Sequence, residues 1–208
     1  MKRASFAFLL ITLLYAGSIS AQDRLPVIPA DRLTEAQKKA VADYKSIRGV
    51  DLAGTPWSVM LRVPDLVVPS LQMRMHNLNN SALSPKLTEL AILVAARFMT
   101  SQYEWALHAP TARQAGLSPS TMDAIADGRR PERMTEEEEI IYDFCTELLR
   151  HHSVSDRTYE RALAKFGEAG VVEVAGLEGY YIYIAMIINV ARSPLPPGEK
   201  PALVPLPK

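Results

Sequence analysis

The sequence predicts an all-helical fold of about seven to eight helices, and three kinds of observation predict it. Helix-start signals recur along the chain. Ser84-Pro85 and Ser118-Pro119 place a capping serine before a proline at the first helical position, and Thr34-x-x-Gln37 and Thr135-x-x-Glu138 have the spacing of capping boxes. Glycines stand where the segments so opened should close, at Gly49, Gly116, Gly128 and Gly167, as suits a residue free to adopt the left-handed conformation that ends a helix. Between these signals apolar residues recur at helical spacing, as at Leu33, Ala36, Ala40, Tyr44 and Ile47.

Composition excludes several classes of function. Basic and acidic residues number 23 each, and no basic block or aromatic-interleaved patch points to nucleic acid. Cys145 is the only cysteine, so no internal disulfide is available and stability must come from packing and subunit contacts. Its sequence neighbours Phe144 and Thr146 supply no cation, so a buried structural thiol is expected rather than a reactive one.

Taken in order, Met1-Lys2-Arg3, an apolar run from Ala4 to Gly17 and small residues at Ser18, Ser20 and Ala21 predict a secretory signal peptide over 1–21 and an exported protein, periplasmic or secreted. The run is shorter than the ~20 residues a membrane span needs. Residues 22–192 read as one helical domain, opened by a proline-containing extended lead. The first helix runs from Thr34 to Gly49. GVDLAGTPWSVMLRVPDLVVP reads as a loop that packs, with Trp57, Met60, Leu61 and Leu66 either lining a pocket or covering the core. A helix after Pro69, reaching about Leu78, carries Arg74 and His76, which stand two apart and so point to different faces.

The next helix, from Ser84, is apolar enough over Leu87 to Met99 to be buried. Its successor starts near Ser101 and stops at Gly116, with Leu117 placed for the apolar contact of a C-terminal cap. A short helix from Ser118 to Gly128 and a linker over 129–134 follow. Thr135 opens a helix with four glutamates at its positive dipole end and Arg150, His151 and His152 at its negative end, which accounts for those charges without a metal. Ser155 to Phe166 forms one more amphipathic helix. The last, Val171 to Ala191, is apolar on most sides and belongs in the core or at an interface. Glu173 and Glu178 interrupt it and argue against a stable membrane span. Residues 193–208 form a proline-rich extended tail, draped over a neighbouring subunit.

Chemistry concentrates in Ser84 to Ser118. Ser101, Glu104 and His108 stand at i, i+3 and i+7 and share a helix face, while Glu89 sits in the apolar helix, where an unpaired carboxylate is costly. These groups can converge as two acids and an imidazole. The alternative remains open: Ser101-x-x-Glu104 is also capping-box spacing, and His108 alone can be a satisfied core histidine. Arg74 or Arg97 could meet a substrate carboxylate or serve as a structural partner of Glu89. Tyr180, Tyr181, Tyr183 and Asn189 need partners if buried, and one of Tyr180 or Tyr181 could reach a pocket.

Glu89, Tyr103-Glu104-Trp105, His108, Ala112 and Gly116-Leu117-Ser118 resemble the carboxymuconolactone decarboxylase family, which includes the AhpD-like alkylhydroperoxidases, over about Leu66 to Ala191. The resemblance implies an AhpD-like helical bundle, a homo-oligomer such as a trimer or hexamer, and a pocket beside the central helix pair. The peroxidase branch carries Cys-x-x-Cys between its glutamate and histidine. Here Ser101 and Glu104 hold those positions, so disulfide cycling is not available and a peroxidase is the least favoured reading. The resemblance is to the decarboxylase-like branch, which removes CO2 from a carboxylated unsaturated lactone without cofactor or metal. It implies a small-molecule acid as substrate, His108, Glu104 and Glu89 as catalytic residues, and Arg97, Arg74, His76, Ser101 and Tyr181 as substrate-binding residues. A noncatalytic oligomeric binding or stress-related module of the same fold is the alternative.

Overall fold

The computed structural model describes residues 23–205; the predicted leader over 1–21 lies outside the described residues. Among these, all regular structure is helical: α1 (Glu35–Arg48), α2 (Pro56–Met60), α3 (Val67–Asn79), α4 (Pro85–Phe98), α5 (Gln102–Gln114), α6 (Pro119–Ala126), α7 (Glu136–His151) and α8 (Asp156–Ala191), with 3-10 turns at Ala30–Arg32 and Pro64–Leu66. α4 is the central rod, packed by α5, α7 and α8. Every residue from Leu87 to Arg97 is buried on it, so its apolar surface extends all round, as a helix enclosed by others requires. Full burial of side chains such as Leu90, Ile92 and Leu93 contributes about 1.5–3 kcal/mol each.

Several predicted caps form. Thr34 and Gln37 make a reciprocal capping box and Gly49 closes α1 in the left-handed region at φ 71°. Thr135 and Glu138 do the same at the start of α7. α5 ends in a Schellman arrangement: Leu117 N–H donates to Ala112 O at 2.9 Å and Gly116 N–H to Arg113 O at 3.1 Å, with Gly116 at φ 91° and Leu117 buried. Ser84 stands at its N-cap position before Pro85, but its hydroxyl makes no capping bond.

The breaker-rich stretch after Gly49 contains a helix that periodicity does not reveal. α2 is only five residues long and all five are buried, so no polar face signals it. Trp57, Met60 and Leu61 enter the core, whereas Leu66 is exposed and neither covers the core nor lines the main cavity. α3 begins at Val67, before Pro69, because a proline in the first turn removes an N–H that has no helical acceptor. The two final helices are nearly continuous: α8 changes direction at Gly167, at φ 69° and ψ 179°, with no intervening loop. α8 is long and apolar enough to cross a bilayer by composition alone, but Val174, Leu177, Tyr181, Ile184 and Ile188 on it are core residues.

The tail packs on its own chain rather than only on a neighbour. The Gln102 carboxamide accepts from Ala202 N–H and Leu203 N–H and donates to Leu203 O, Arg97 donates to Val204 O at 2.8 Å, and Leu203 is buried. The other end of the domain is tied to the same region, since Arg24 N–H donates to Ala191 O.

Candidate active site

α4 and α5 are joined by a tight turn in which Thr100 adopts φ 48° and Ser101 N–H donates to Ala96 O at 2.8 Å. That turn lays α5 against α4 so that His108 meets Glu89. The imidazole Nδ1 lies 2.8 Å from Glu89 Oε2, and Nε2 lies 3.5 Å from Glu104 Oε2. All three residues are buried. An ionised carboxylate only accepts, so the Glu89 contact places the proton of a neutral His108 on Nδ1 and turns the Nε2 lone pair toward Glu104.

Glu104 has been desolvated without being fully paired. Its Oε1 has no hydrogen-bond partner. Burial pushes its carboxyl up from the usual range, and Glu89 adds to this, against the opposing influence of His108 and Arg74. Ser101 is fully buried, but its hydroxyl neither caps α5 nor finds another partner. The capping-box alternative is therefore not realised at this helix: Glu104 is turned inward.

These groups open onto a cavity of about 460 Å³, lined by Glu89, Glu104 and His108 together with Tyr44, Arg48, Trp57, Arg74, Tyr103, Tyr180, Tyr181 and the tail residues Pro196 and Pro197, among others. Tyr181 presents an edge to the His108 ring, with centroids 5.0 Å apart, and Tyr180 stands edge-on to Tyr181 at 5.2 Å. The Tyr181 hydroxyl has no partner, and burial raises both phenols above their usual pKa, with Ser70 acting in the opposite sense on Tyr180. Tyr103 donates to Gly54 O, and burial, with the nearby Glu104, pushes it up to about 12. A largely apolar wall with several aromatic rings and a few converging polar groups is the ordinary form of a small-molecule site.

The predicted substrate-binding residues separate. Arg74 and Tyr181 line the cavity. Arg97 does not: its guanidinium is spent on Ala126 O, Val204 O and Thr100 Oγ1. His76 turns away, with Nε2 3.3 Å from Glu173 Oε1, which fits its two-residue offset from Arg74 along α3. Ser101 is buried but is not part of the cavity wall. Arg48 and Tyr44 on α1 and the prolines of the tail join the site without any signal in the sequence. Arg48 reads there as an ordinary basic residue at a helix C-terminus, and only the docking of α1 brings it here. Among the described residues no group of three or more His, Cys, Asp and Glu side chains is arranged to hold a metal ion.

Fold and site together define an all-helical protein with an interior acid, imidazole and acid array facing an aromatic cavity. Residues 68–139 match the model of the carboxymuconolactone decarboxylase family. The match covers the segment running from α3 to the first turn of α7 and is consistent with the resemblance read from the sequence. No curated protein was found to match the chain.

Proposed function

We propose that the protein is a cofactor-independent acid–base enzyme of the decarboxylase-like branch, acting on a small carboxylated unsaturated lactone or similar acid. The observation that carries this reading is the convergence of Glu89, His108 and Glu104 on one cavity wall. In the proposed reaction the bond between the substrate carboxylate and its ring carbon breaks and CO2 leaves. The released electron pair flows into the conjugated carbonyl, and the extended enolate takes a proton on carbon. A protonated His108, donating through Nε2, or a protonated Glu104 beside it, delivers that proton, while Glu89 holds the imidazole through Nδ1. That Arg74 lines the cavity and lies near enough to influence Glu104 supports assigning it, rather than Arg97, to the substrate carboxylate.

The test is CO2 release from carboxylated unsaturated lactones by purified protein and by a folded His108→Gln variant. Undiminished turnover in the variant removes His108 from the reaction.

Two further expectations belong to this reading. Export rests on the N-terminal sequence, and the N-terminal mass of the mature protein tests it. Homo-oligomerisation is supported by exposed Val172, Tyr183, Met186 and Val190, which recur along one side of α8. Light scattering of the wild type against Met186→Glu tests it, and a monomer in both removes it.

A further inference from the structure

The cavity has a polar end that the acid–imidazole array does not use. Arg48, at the last turn of α1, and Arg74, midway along α3, both line it, and neither makes a side-chain hydrogen bond or ion pair among the described residues. Other arginines of the chain behave differently: Arg97, Arg130 and Arg161 are each engaged by carbonyls or carboxylates. Arg48 Nε is moreover buried without a partner, as is Trp57 Nε1. A guanidinium whose buried Nε lacks an acceptor is costly, and a second, half-buried and unpaired guanidinium on the same cavity adds to the call for an anion from outside.

The surroundings say what kind of anion. The Arg74 guanidinium carbon lies 5.8 Å from the centre of the Trp57 ring, and Trp57 packs against Tyr44 with centroids 5.4 Å apart. Tyr103, Tyr180 and Tyr181 continue this aromatic wall toward His108. A flat ring can lie along such a wall with its acidic group between the two forks, as face and edge contacts favour planar π systems. Glu89 is already engaged by His108 and Glu104 leans toward its neutral form. Neither acid therefore cancels the two guanidinium charges as an ion-pair partner.

We propose that Arg48 and Arg74 form a two-armed carboxylate site, and that the cavity takes a planar aromatic or conjugated acid whose ring lies against Trp57. This rests on the cavity being the substrate site, as argued above. Arg48 thereby becomes a specificity-determining residue contributed by a helix outside the family-matched segment.

Isothermal titration of the full chain with benzoate, benzamide and cyclohexanecarboxylate tests the proposal. Benzoate is expected to bind about tenfold more tightly than either of the others, and Arg48→Gln and Arg74→Gln each to weaken benzoate about tenfold while leaving benzamide unchanged. Arg48→Lys, which keeps the charge but loses the fork, should fall between. Circular dichroism confirms folding of each variant. Absence of benzoate binding, equal affinity for benzoate and benzamide, or an unchanged affinity in Arg48→Gln overturns the two-armed site. Equal binding of cyclohexanecarboxylate overturns the planar ligand. Arginine-dependent binding in a protein that decarboxylates no lactone upholds this site and sinks the decarboxylase reading, so the two fail separately.

Discussion

The starts of α5 and α7 carry the same sequence pattern, a hydroxyl residue followed three positions later by glutamate, and they end in opposite uses. At α7 the Thr135 N–H has no other acceptor, and Glu138 reaches back to it at 2.9 Å while Thr135 Oγ1 accepts from Glu138 N–H. Lys86 then holds the other Glu138 oxygen at 2.8 Å, tying α7 to α4. At α5 the corresponding Ser101 N–H is already satisfied by Ala96 O, through the turn at Thr100. Glu104 has no donor to return to, and its carboxyl is free to face His108 and the cavity. The motif specifies a cap only where the backbone amide is left unsatisfied; a tight helix–helix turn leaves the same glutamate free to face the cavity.

Substitutions at the paired positions should divide accordingly. The largest effect is expected from Glu104→Gln and His108→Gln, which should lower turnover by about 100-fold or more with folding intact, as loss of a positioned acid or base does. Glu138→Gln should leave turnover within about twofold, because a glutamine still completes a capping box. Equal loss in Glu104→Gln and Glu138→Gln, in the same CO2 assay, would erase the distinction between the two glutamates.

A third buried acid separates interior burial from site formation. Glu178 on α8 is 1% exposed, its one polar neighbour is the Cys145 thiol, and it lies outside the cavity wall. Burial pushes its carboxyl up from 4.5 to about 8, with the Cys145 thiol acting in the opposite sense; burial and Glu178 in turn push that thiol well up. Because the folded state keeps this proton where the unfolded chain has lost it, stability falls as pH rises from about 4.5 to about 8. Glu104 contributes in the same direction. Glu178→Gln, which has no proton to lose, should therefore resist urea better than the wild type at pH 8. It should change little at pH 4 and leave turnover unaffected. An equal gain at both pH values would show that ionisation is not the cause.

A smaller contrast lies in the two capping hydroxyls. Thr135→Ala should cost about 1 kcal/mol, while Ser101→Ala, which removes a buried hydroxyl with no partner, should cost less than about half of that or stabilise. Denaturant unfolding of both variants measures the difference, and a larger loss for Ser101→Ala would mean that its hydroxyl has a partner in solution.

Helix order was legible because its signals are local. Thr34, Gly49, Gly116, Ser118 and Thr135 act on neighbouring amides and carbonyls, so their effect can be read without knowing the fold. Glu89, Glu104 and His108 were legible for another reason: two acids and an imidazole in or beside an apolar helix need one another. What was hidden depends on docking between distant segments. α2 has no polar face to give a period, Arg97 is claimed by carbonyls 29 and 107 positions away, and Arg48 gains its place only when α1 closes over the cavity.

The proline-rich end of the chain, which composition alone would nominate for removal, is a retaining wall. Gln102 and Arg97 pin Leu203 and Val204 beside the first turn of α5, and the span before them places Pro196 and Pro197 on the wall of the cavity. Trimming or tagging close to this end is therefore expected to remodel the cavity wall itself without unfolding the helices behind it.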